Sequence, residues 1–183
     1  GVIGLGGSNV TNDIAIGLRT PTLDAEKIKR KYGCAATEAV AEDDTVEVPS
    51  IGGRANRVLS RKTLADIIEP RIEELFSLVN KELMKSGLWE FIPSGVVLTG
   101  GASIMDGMVE VAERVFELPV RRGVPIGVGG LIDVVSSPVY ATGVGLLMFG
   151  IQGIDQGRSF RNGNKSLWKR MQRRVASWFG NFR

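Results

Sequence analysis

Hydrophobic residues recur at helical spacing along most of the chain. The longest such pattern, residues 63–85, places leucine, isoleucine, valine and phenylalanine three or four positions apart and predicts a long helix. Pro70 lies inside this pattern without the amide hydrogen that a helix interior needs, so a kink or a restart is expected there. Shorter patterns predict helices at about Ile14–Leu18, with N-cap candidates among residues 9–13, and at Leu23–Tyr32, with Thr22 as the N-cap. Two more are predicted at Met105–Phe116 and Tyr140–Gly150.

Short apolar runs bounded by glycine, proline or acidic residues predict the strands. They lie at residues 34–40, 45–51, 56–60, 96–98 and 120–122. From Pro93 onward the order is strand, helix, strand, helix, which is typical of an α/β unit, whereas the residues before it mix helices with short strands. The sequence therefore predicts an α/β fold with an inserted α+β subdomain.

The segment VVLTGGAS, Val96 to Ser103, joins a predicted strand to paired glycines. Gly100 and Gly101 lack a Cβ atom, so a ligand can lie against bare backbone there. The start of the next helix directs amide hydrogens toward the same place, and nucleotides often bind at such strand ends. The alternative is a tight strand-to-helix turn that binds nothing, and the glycine pair alone does not decide between the two.

Composition excludes several kinds of site. The 183 residues include one cysteine, Cys34, and no histidine. An internal disulfide framework, zinc-finger ligand sets and Ser/His/Asp or Cys/His catalysis are therefore excluded for this chain. With 43% hydrophobic residues the chain can bury a sizeable core, yet no apolar run is long enough to span a bilayer. The first residue is glycine within an apolar segment, which predicts a fragment or a cleaved product.

The formal net charge of +3 combines an acidic body with a basic end. From Arg158 onward there are eight basic residues and no acidic ones. Subtracting these eight from the 23 basic residues leaves 15 against 20 acidic residues, so residues 1–157 carry a net charge of −5. Residues 151–164 are rich in glycine, asparagine and serine, and this composition predicts a linker.

Residues 165–183 predict an amphipathic helix at a membrane surface. Large apolar side chains fall on one face and cations on the other, so that the rings can bury at the acyl boundary while the cations meet anionic lipid. A helix docked on the body, a calmodulin-type target and a nucleic-acid arm are the alternatives, but two tryptophans on the apolar face favour lipid over nucleic acid. The membrane-binding candidates are Leu167, Trp168, Lys169, Arg170, Met171, Arg174, Val175, Trp178, Phe179 and Phe182.

Four features in order resemble the bacterial cell division family FtsA, a member of the actin and Hsp70 ATPase superfamily. They are GGSNVTNDIA (Gly6–Ala15), AEKIKRKYG (Ala25–Gly33), VEVPSIGGR followed by IEPR (Val46–Arg54, Ile68–Arg71), and VVLTGGAS with YATGVGLLMFG (Val96–Ser103, Tyr140–Gly150). The basic aromatic end matches the family's membrane anchor in kind and in place, so the likeness covers essentially the whole chain. The motif LTGG alone would identify only the superfamily.

The resemblance implies the second lobe of an actin-like (ribonuclease H-like) ATPase. Residues 1–8 and 93–150 would form a core subdomain, residues 9–92 an outer subdomain, residues 151–164 a linker, and residues 165–183 the membrane-targeting helix. The family's first lobe and both phosphate loops would lie upstream of Gly1. Binding of ATP with Mg by this chain alone is therefore expected to be weak or absent, because half of the phosphate cradle is missing.

The resemblance also implies which residues bind ATP. Glu26 and Lys29 match the superfamily's E-x-x-K, which contacts ribose and base; without the resemblance they are an ordinary exposed ion pair. No catalytic residue and no metal ligand is assigned, since any hydrolysis would need the missing lobe. The cofactor-binding candidates are two glycines close to the phosphates, three residues of the outer subdomain, and three that line the adenosine: Gly6, Gly7, Glu26, Lys29, Gly33, Gly100, Gly101 and Ala102.

In the family, the outer subdomain receives the C-terminal tail of FtsZ, the tubulin-like ring protein. The docking helix begins at the IEPR turn, so the resemblance implies a docking role for Arg71 and Glu74, with Arg57 as a weaker candidate. A cation at this place can meet the acidic part of a bound tail. The alternative is that Pro70 shifts the helix phase, so that Arg71 and Glu74 both point to water.

The implied function is that of a cell division adaptor. With ATP, the intact protein would self-assemble in actin-like fashion and tether the FtsZ ring to anionic lipid. It would act on the cytoplasmic face of the inner membrane at the septum, among other division proteins and without nucleic acid. Enzymatic activity would be at most a weak ATPase of the intact protein. The rival classes are the ATP-binding lobe of a sugar or acetate kinase, which would not need a lipid-type tail, and that of a chaperone-type ATPase.

Overall fold

The computed structural model describes residues 1–50, 52, 55–127 and 135–155. The chain forms two compact units, Gly1–Thr142 and Gly143–Arg183. The helices and strands, in chain order, are α1 (Gly7–Leu18), α2 (Thr22–Tyr32), β1 (Thr45–Val48), β2 (Arg57–Ser60), α3 (Arg61–Lys85), β3 (Val96–Leu98), α4 (Met108–Phe116), β4 (Val120–Arg122) and α5 (Ala141–Asp155). Short 3-10 turns lie at Thr37–Ala39, Trp89–Phe91, Gly101–Ile104 and Pro138–Tyr140.

The strands form one antiparallel and one parallel pair. In the antiparallel pair, β1 runs against β2 with Thr45 opposite Ser60 and Val48 opposite Arg57. Burial alternates along β1, where Val46 and Val48 are buried and Thr45 and Glu47 are exposed. In the parallel pair, β3 lies beside β4 with Val96 next to Val120, and α4 forms the crossover that a parallel pair needs. The predicted mixture of α+β and α/β elements is therefore present.

The core of the first unit lies among its helices. α1, α2, α3 and α4 each contribute fully buried aliphatic residues, and one aromatic pair, Phe76 with Phe116, joins α3 to α4 with ring centroids 5.5 Å apart. The charges on α2 interact favourably with the helix dipole, because Asp24 lies in the first turn and three basic residues lie in the last turn. The largest fully buried side chains of this core are Phe116, Ile14, Leu64, Ile68, Ile72, Val10, Val46, Val48 and Val111.

The strand predicted at residues 34–40 is not formed. Cys34 makes a single parallel bridge to Asp106, and the chain then turns through Thr37–Ala39. The turn is stabilised because the Thr37 amide donates to the Glu69 carboxylate at 2.8 Å instead of to a neighbouring strand. Gly107 also approaches this segment so closely that an added Cβ would lie 2.6 Å from the Ala36 nitrogen. This contact requires glycine, which has φ +75° here.

Several predicted helix boundaries are wrong. α1 begins at Gly7, two residues before the first predicted cap, because the Asn9 side chain accepts from the Gly6 amide at 2.9 Å and closes the first turn. α3 continues through Pro70 without a restart, since Ile68 and Ile72 on either side are buried in the core and hold the helix together. α4 begins at Met108 because the chain first makes the Gly101–Ile104 turn.

The end of the described chain also differs from the prediction. α5 continues to Asp155, so residues 151–155 of the predicted linker are helical. The apolar run that predicted this helix ends at Gly150, but single glycines and polar residues are tolerated inside a helix. The predicted membrane helix, residues 165–183, lies outside the described residues. None of the described helices combines the length and the apolar character that crossing a membrane requires.

Candidate functional site

A cavity of about 690 Å³ lies between the start of α1, one face of α2 and the turn that follows β3. Its walls are mixed, with glycine and alanine backbone on one side and charged side chains on another. All of its residues belong to the first unit. The lining residues are Gly7, Ser8, Glu26, Lys29, Arg30, Lys31, Gly33, Gly101, Ala102, Ile104, Met105, Asp106 and Val139.

Two glycine-containing turns shape the cavity. After β3, Gly100 takes φ +94°, a conformation that favours glycine, and its amide donates to the Pro138 carbonyl oxygen at 3.1 Å. Ser103 secures the turn because both its amide and its hydroxyl donate to the Gly100 carbonyl oxygen. On the facing side, α1 begins at Gly7. The amides of Gly7 and Ser8 precede the first residue that can find an acceptor within the helix, whereas the Asn9 amide donates to the Gly6 carbonyl oxygen at 3.0 Å. The cavity therefore contains the kind of backbone donors that bind anions.

Lys29 joins α2 to the start of α1. Its side chain is only 10% exposed, and its ammonium group donates to the Gly7 carbonyl oxygen at 3.0 Å, to the Thr11 hydroxyl at 2.8 Å and to Glu26 Oε2 at 2.6 Å. A lysine ammonium has three N–H donors, so all of them are used within the protein. Lys29 therefore fixes the geometry of the cavity wall in this structure.

Glu26 remains ionised at the mouth of the cavity. Partial burial by itself would raise the pKa of its carboxyl group. Hydrogen bonds from Lys29 and Thr11, together with the charges of Lys29 and Arg30, outweigh the burial and hold the pKa below its usual value. Glu26 is consequently a permanent hydrogen-bond acceptor at neutral pH.

Two further lining residues, Gly33 and Asp106, are fixed by their neighbours in the structure. Gly33 follows α2, and an added Cβ there would lie 2.4 Å from the Lys29 carbonyl oxygen, so only glycine fits. Asp106 accepts from Arg61 at 3.0 Å, and the same guanidinium donates to Asp44 and to the Tyr32 carbonyl oxygen. Arg61 thus connects the cavity wall to the loop before β1.

The structure brings most of the predicted cofactor residues together. Six of the eight candidates line the cavity, and the other two, Gly6 and Gly100, immediately precede lining residues. Their role in binding a cofactor stays a prediction. Sequence reasoning missed Thr11, which contacts Lys29 and Glu26, and it missed Asp106. Thr11 lies within the segment Gly6–Ala15 that carries the resemblance but was considered there only as an N-cap candidate, and Asp106 lies outside the four segments. Among the described residues, no three His, Cys, Asp or Glu side chains come together in a group that could hold a metal ion.

The predicted docking residues lie elsewhere and are paired. The Arg71 guanidinium donates to both oxygens of Asp13 on α1 and to Glu74 one turn further along α3. The hydrogen bond from Arg71 to Asp13 is the main reason that the pKa of Arg71 is raised. Arg57 donates to the Leu18 carbonyl oxygen at the end of α1. Arg71 therefore does not simply point to water, while Glu74 is 52% exposed. The membrane-binding candidates lie outside the described residues.

Solved structures identify the class of fold. The chain is similar to the crystal structure of MreB5 of Spiroplasma citri bound to ADP, with a TM-score of 0.62 and 16% identity over 84% of this chain and 47% of that one. The structure of the same protein bound to AMPPNP gives a TM-score of 0.61. The chain therefore has an actin-like ATPase fold, as the sequence predicted.

The family follows from sequence. The family model described as "Cell division protein FtsA" matches residues 1–145. The FtsA protein of Pseudomonas aeruginosa is 54% identical over 158 residues, and that of Escherichia coli K12 is 44% identical over 184. The chain therefore belongs to the FtsA family. The two matches cover 86% and 97% of this chain but only 38% and 42% of the relatives' lengths.

Proposed function

We propose that this chain forms one wall of a nucleotide site in a cell division adaptor. The carrying observation is the cavity of about 690 Å³ in which Lys29 and Glu26 from α2 face Gly101 and Ala102 after β3. Its volume is typical of small-molecule sites, and the MreB5 structures that share the fold were solved with ADP and AMPPNP. ATP with Mg, when bound to the intact protein, would give the site two chemically different ligands, one before and one after hydrolysis.

The residues of the cavity fit the parts of a nucleotide. Gly101 and Ala102 leave backbone and one methyl group for a flat base to lie against. The amides of Gly7 and Ser8 at the start of α1 suit phosphate oxygens, and the ionised Glu26 suits a sugar hydroxyl, which must donate to it. Lys29 fits differently from the expectation that it contacts ribose and base directly. Because its three donors are used within the protein, it would hold the site in shape.

The intact protein would connect the FtsZ ring to the membrane. The C-terminal tail of FtsZ would dock at Arg71, Glu74 and Arg57, and the basic aromatic residues after 165 would bind anionic lipid at the cytoplasmic face of the inner membrane, at the septum. Each single anchor binds modestly, so actin-like self-association would provide avidity. Membership of the FtsA family favours this adaptor over a sugar or acetate kinase and over a chaperone-type ATPase.

We expect Arg71→Glu to weaken the binding of an FtsZ tail peptide by about tenfold, because a partner carboxylate would lose its guanidinium and meet a new negative charge. Fluorescence anisotropy of a labelled peptide measures this affinity. The matched control is Arg121→Glu, an exposed change of the same charge on β4. Thermal unfolding of both variants checks the fold, since the new carboxylate would face Asp13. Equal peptide affinity in the wild type and in Arg71→Glu would exclude this docking site.

The membrane role is tested by co-sedimentation with anionic vesicles. We expect the wild-type chain to pellet with the vesicles and to carry the FtsZ peptide with it. The double variant Trp168→Glu, Trp178→Glu should stay in the supernatant, because the two rings proposed to insert into the lipid would be replaced by charges that anionic lipid repels. Phe91→Glu, which changes a side chain that is 76% exposed on the body, should pellet normally. A double variant that still pellets would remove the tail from the proposed mechanism.

A further inference from the structure

We infer that Thr11 is a positioning residue of the proposed nucleotide site, where its hydroxyl fixes which oxygen of Glu26 is presented to the ligand. This inference rests on the proposed function. Thr11 lies on α1 one turn after Gly7 and is only 4% exposed. A polar group buried to this degree needs hydrogen-bond partners. Its hydroxyl contacts Glu26, Lys29 and the Gly7 carbonyl oxygen.

The acceptor of the Thr11 hydroxyl proton follows from the donors and acceptors around it. Lys29 is a donor only, so Thr11 Oγ1 accepts from it at 2.8 Å. The single proton of the hydroxyl then has two acceptors within reach, the Gly7 carbonyl oxygen and Glu26 Oε2. The Gly7 oxygen already receives a proton from Lys29, and a bond to an ionised carboxylate is the stronger one. Thr11 therefore donates to Glu26.

The two oxygens of Glu26 consequently differ. Oε2 receives two donors, one from Lys29 and one from Thr11. Among the described residues, the cation paired with Oε1 is Arg30, whose Nε lies 3.7 Å away and thus beyond hydrogen-bond distance. Oε1 is thus the oxygen with spare capacity at the cavity. A carboxylate oxygen only accepts, so the ligand group that it binds must be a donor, as a sugar hydroxyl is.

The inference predicts that Thr11 acts on sugar recognition and not on nucleotide binding in general. If Thr11→Val removes the hydroxyl but keeps the shape of the side chain, Glu26 loses one of its two fixed donors and can rotate. Binding that depends on Oε1 should weaken, while contacts of the base and phosphates should be unchanged. A role of Thr11 only in packing α1 against α2 would weaken every nucleotide equally.

The experiment measures affinities for ATP and for 2′,3′-dideoxy-ATP by calorimetric titration. The protein is a hybrid in which this chain replaces the matching segment of the Pseudomonas aeruginosa relative, which supplies the remaining length. We expect the wild-type hybrid to prefer ATP by about tenfold, and Thr11→Val to weaken ATP binding by about three- to tenfold while changing dideoxy-ATP binding by less than about twofold. Thr11→Ser, which keeps the hydroxyl, should restore ATP binding.

The outcomes separate the inference from the proposed function. A wild-type hybrid that binds neither nucleotide would overturn both. Binding of ATP that is unchanged in Thr11→Val, or that falls equally for both nucleotides, would overturn the role of Thr11 and leave the nucleotide site standing. Failure of Thr11→Ser to restore binding would also contradict the role of the hydroxyl.

Discussion

Replacing Gly95 by alanine is expected to lower the free energy of unfolding by about 3 kcal/mol or more. Gly95 has φ +88° and directly precedes β3. An added Cβ would lie 2.0 Å from the Pro119 carbonyl oxygen, which accepts from the Val96 amide at 2.9 Å. The two atoms nearest to this Cβ, the carbonyl oxygen and carbon of Pro119, belong to the backbone, so neither can move aside as a flexible side chain would. The variant should therefore disrupt the start of the β3–β4 pairing.

Gly87→Ala provides the matched control for this prediction. Gly87 also has positive φ, +69°, but an added Cβ would meet no atom within 4 Å. Its cost should be the backbone strain alone, about 1 kcal/mol. Urea denaturation compares the two variants, and amide hydrogen exchange at Val96 locates the damage. Equal losses of stability at the two positions would mean that the contact with Pro119 is harmless.

Local patterns predicted the elements whose structure depends on local chemistry. The second predicted helix ends at Tyr32 as expected, because Gly33 interrupts the helical pattern, and it begins one residue early, since Pro21 and not Thr22 is the N-cap. The alternation of β1 was also evident in the sequence, since Val46 and Val48 are separated by one exposed residue. The 34–40 strand failed for a nonlocal reason. Its amide at Thr37 binds Glu69, which is 32 residues away.

The cofactor-binding candidates were assigned from the family resemblance. That resemblance assigned no role to Thr11. In the sequence Thr11 was one of several N-cap candidates for a helix starting later. The actual start at Gly7 moves it into the helix, where it faces α2 instead of capping. Whether a threonine caps or faces a neighbouring helix depends on the first helical residue. That residue was set here by the contact between Gly6 and Asn9.

The pairing of Arg71 could not be predicted from α3 alone. Asp13 is 58 residues away from Arg71 in sequence. The two residues come into contact because α1 and α3 pack closely at Gly17 and Ile67, one turn from Asp13 on α1 and one turn from Arg71 on α3. At that approach an added Cβ on Gly17 would lie 2.7 Å from Ile67 Cδ1. Gly17 follows Asp13 by four residues, and Arg71 follows Ile67 by four, so a close contact at one pair sets the distance at the other. A partner carboxylate would compete with Asp13 for this guanidinium.

Replacing Lys29 by methionine is expected to lower the free energy of unfolding by about 2 kcal/mol at neutral pH. Methionine is similar in length but cannot donate, so Gly7 O, Thr11 and Glu26 each lose a donor. Lys27→Met is the matched control on the same helix. Lys27 pairs with Asp24 at 2.8 Å, but its side chain is 77% exposed, and such pairs contribute about 0.3–0.5 kcal/mol. Urea denaturation of both variants measures the difference.

The destabilisation by Lys29→Met should depend on pH in a defined direction. Lys29 is a main reason that the pKa of Glu26 is lowered in the folded protein. A lowered carboxyl pKa stabilises the fold above the unfolded value of about 4.3, and this contribution is lost as the pH falls through the folded value. In Lys29→Met, the pKa of Glu26 should rise from this lowered value, because the hydrogen bond and the charge of Lys29 no longer oppose the effect of burial. The stability gap to the wild type should therefore be full at pH 7 and narrow below about pH 4. A gap that stays constant from pH 7 to pH 3 would mean that Lys29 acts on the fold without its charge on Glu26.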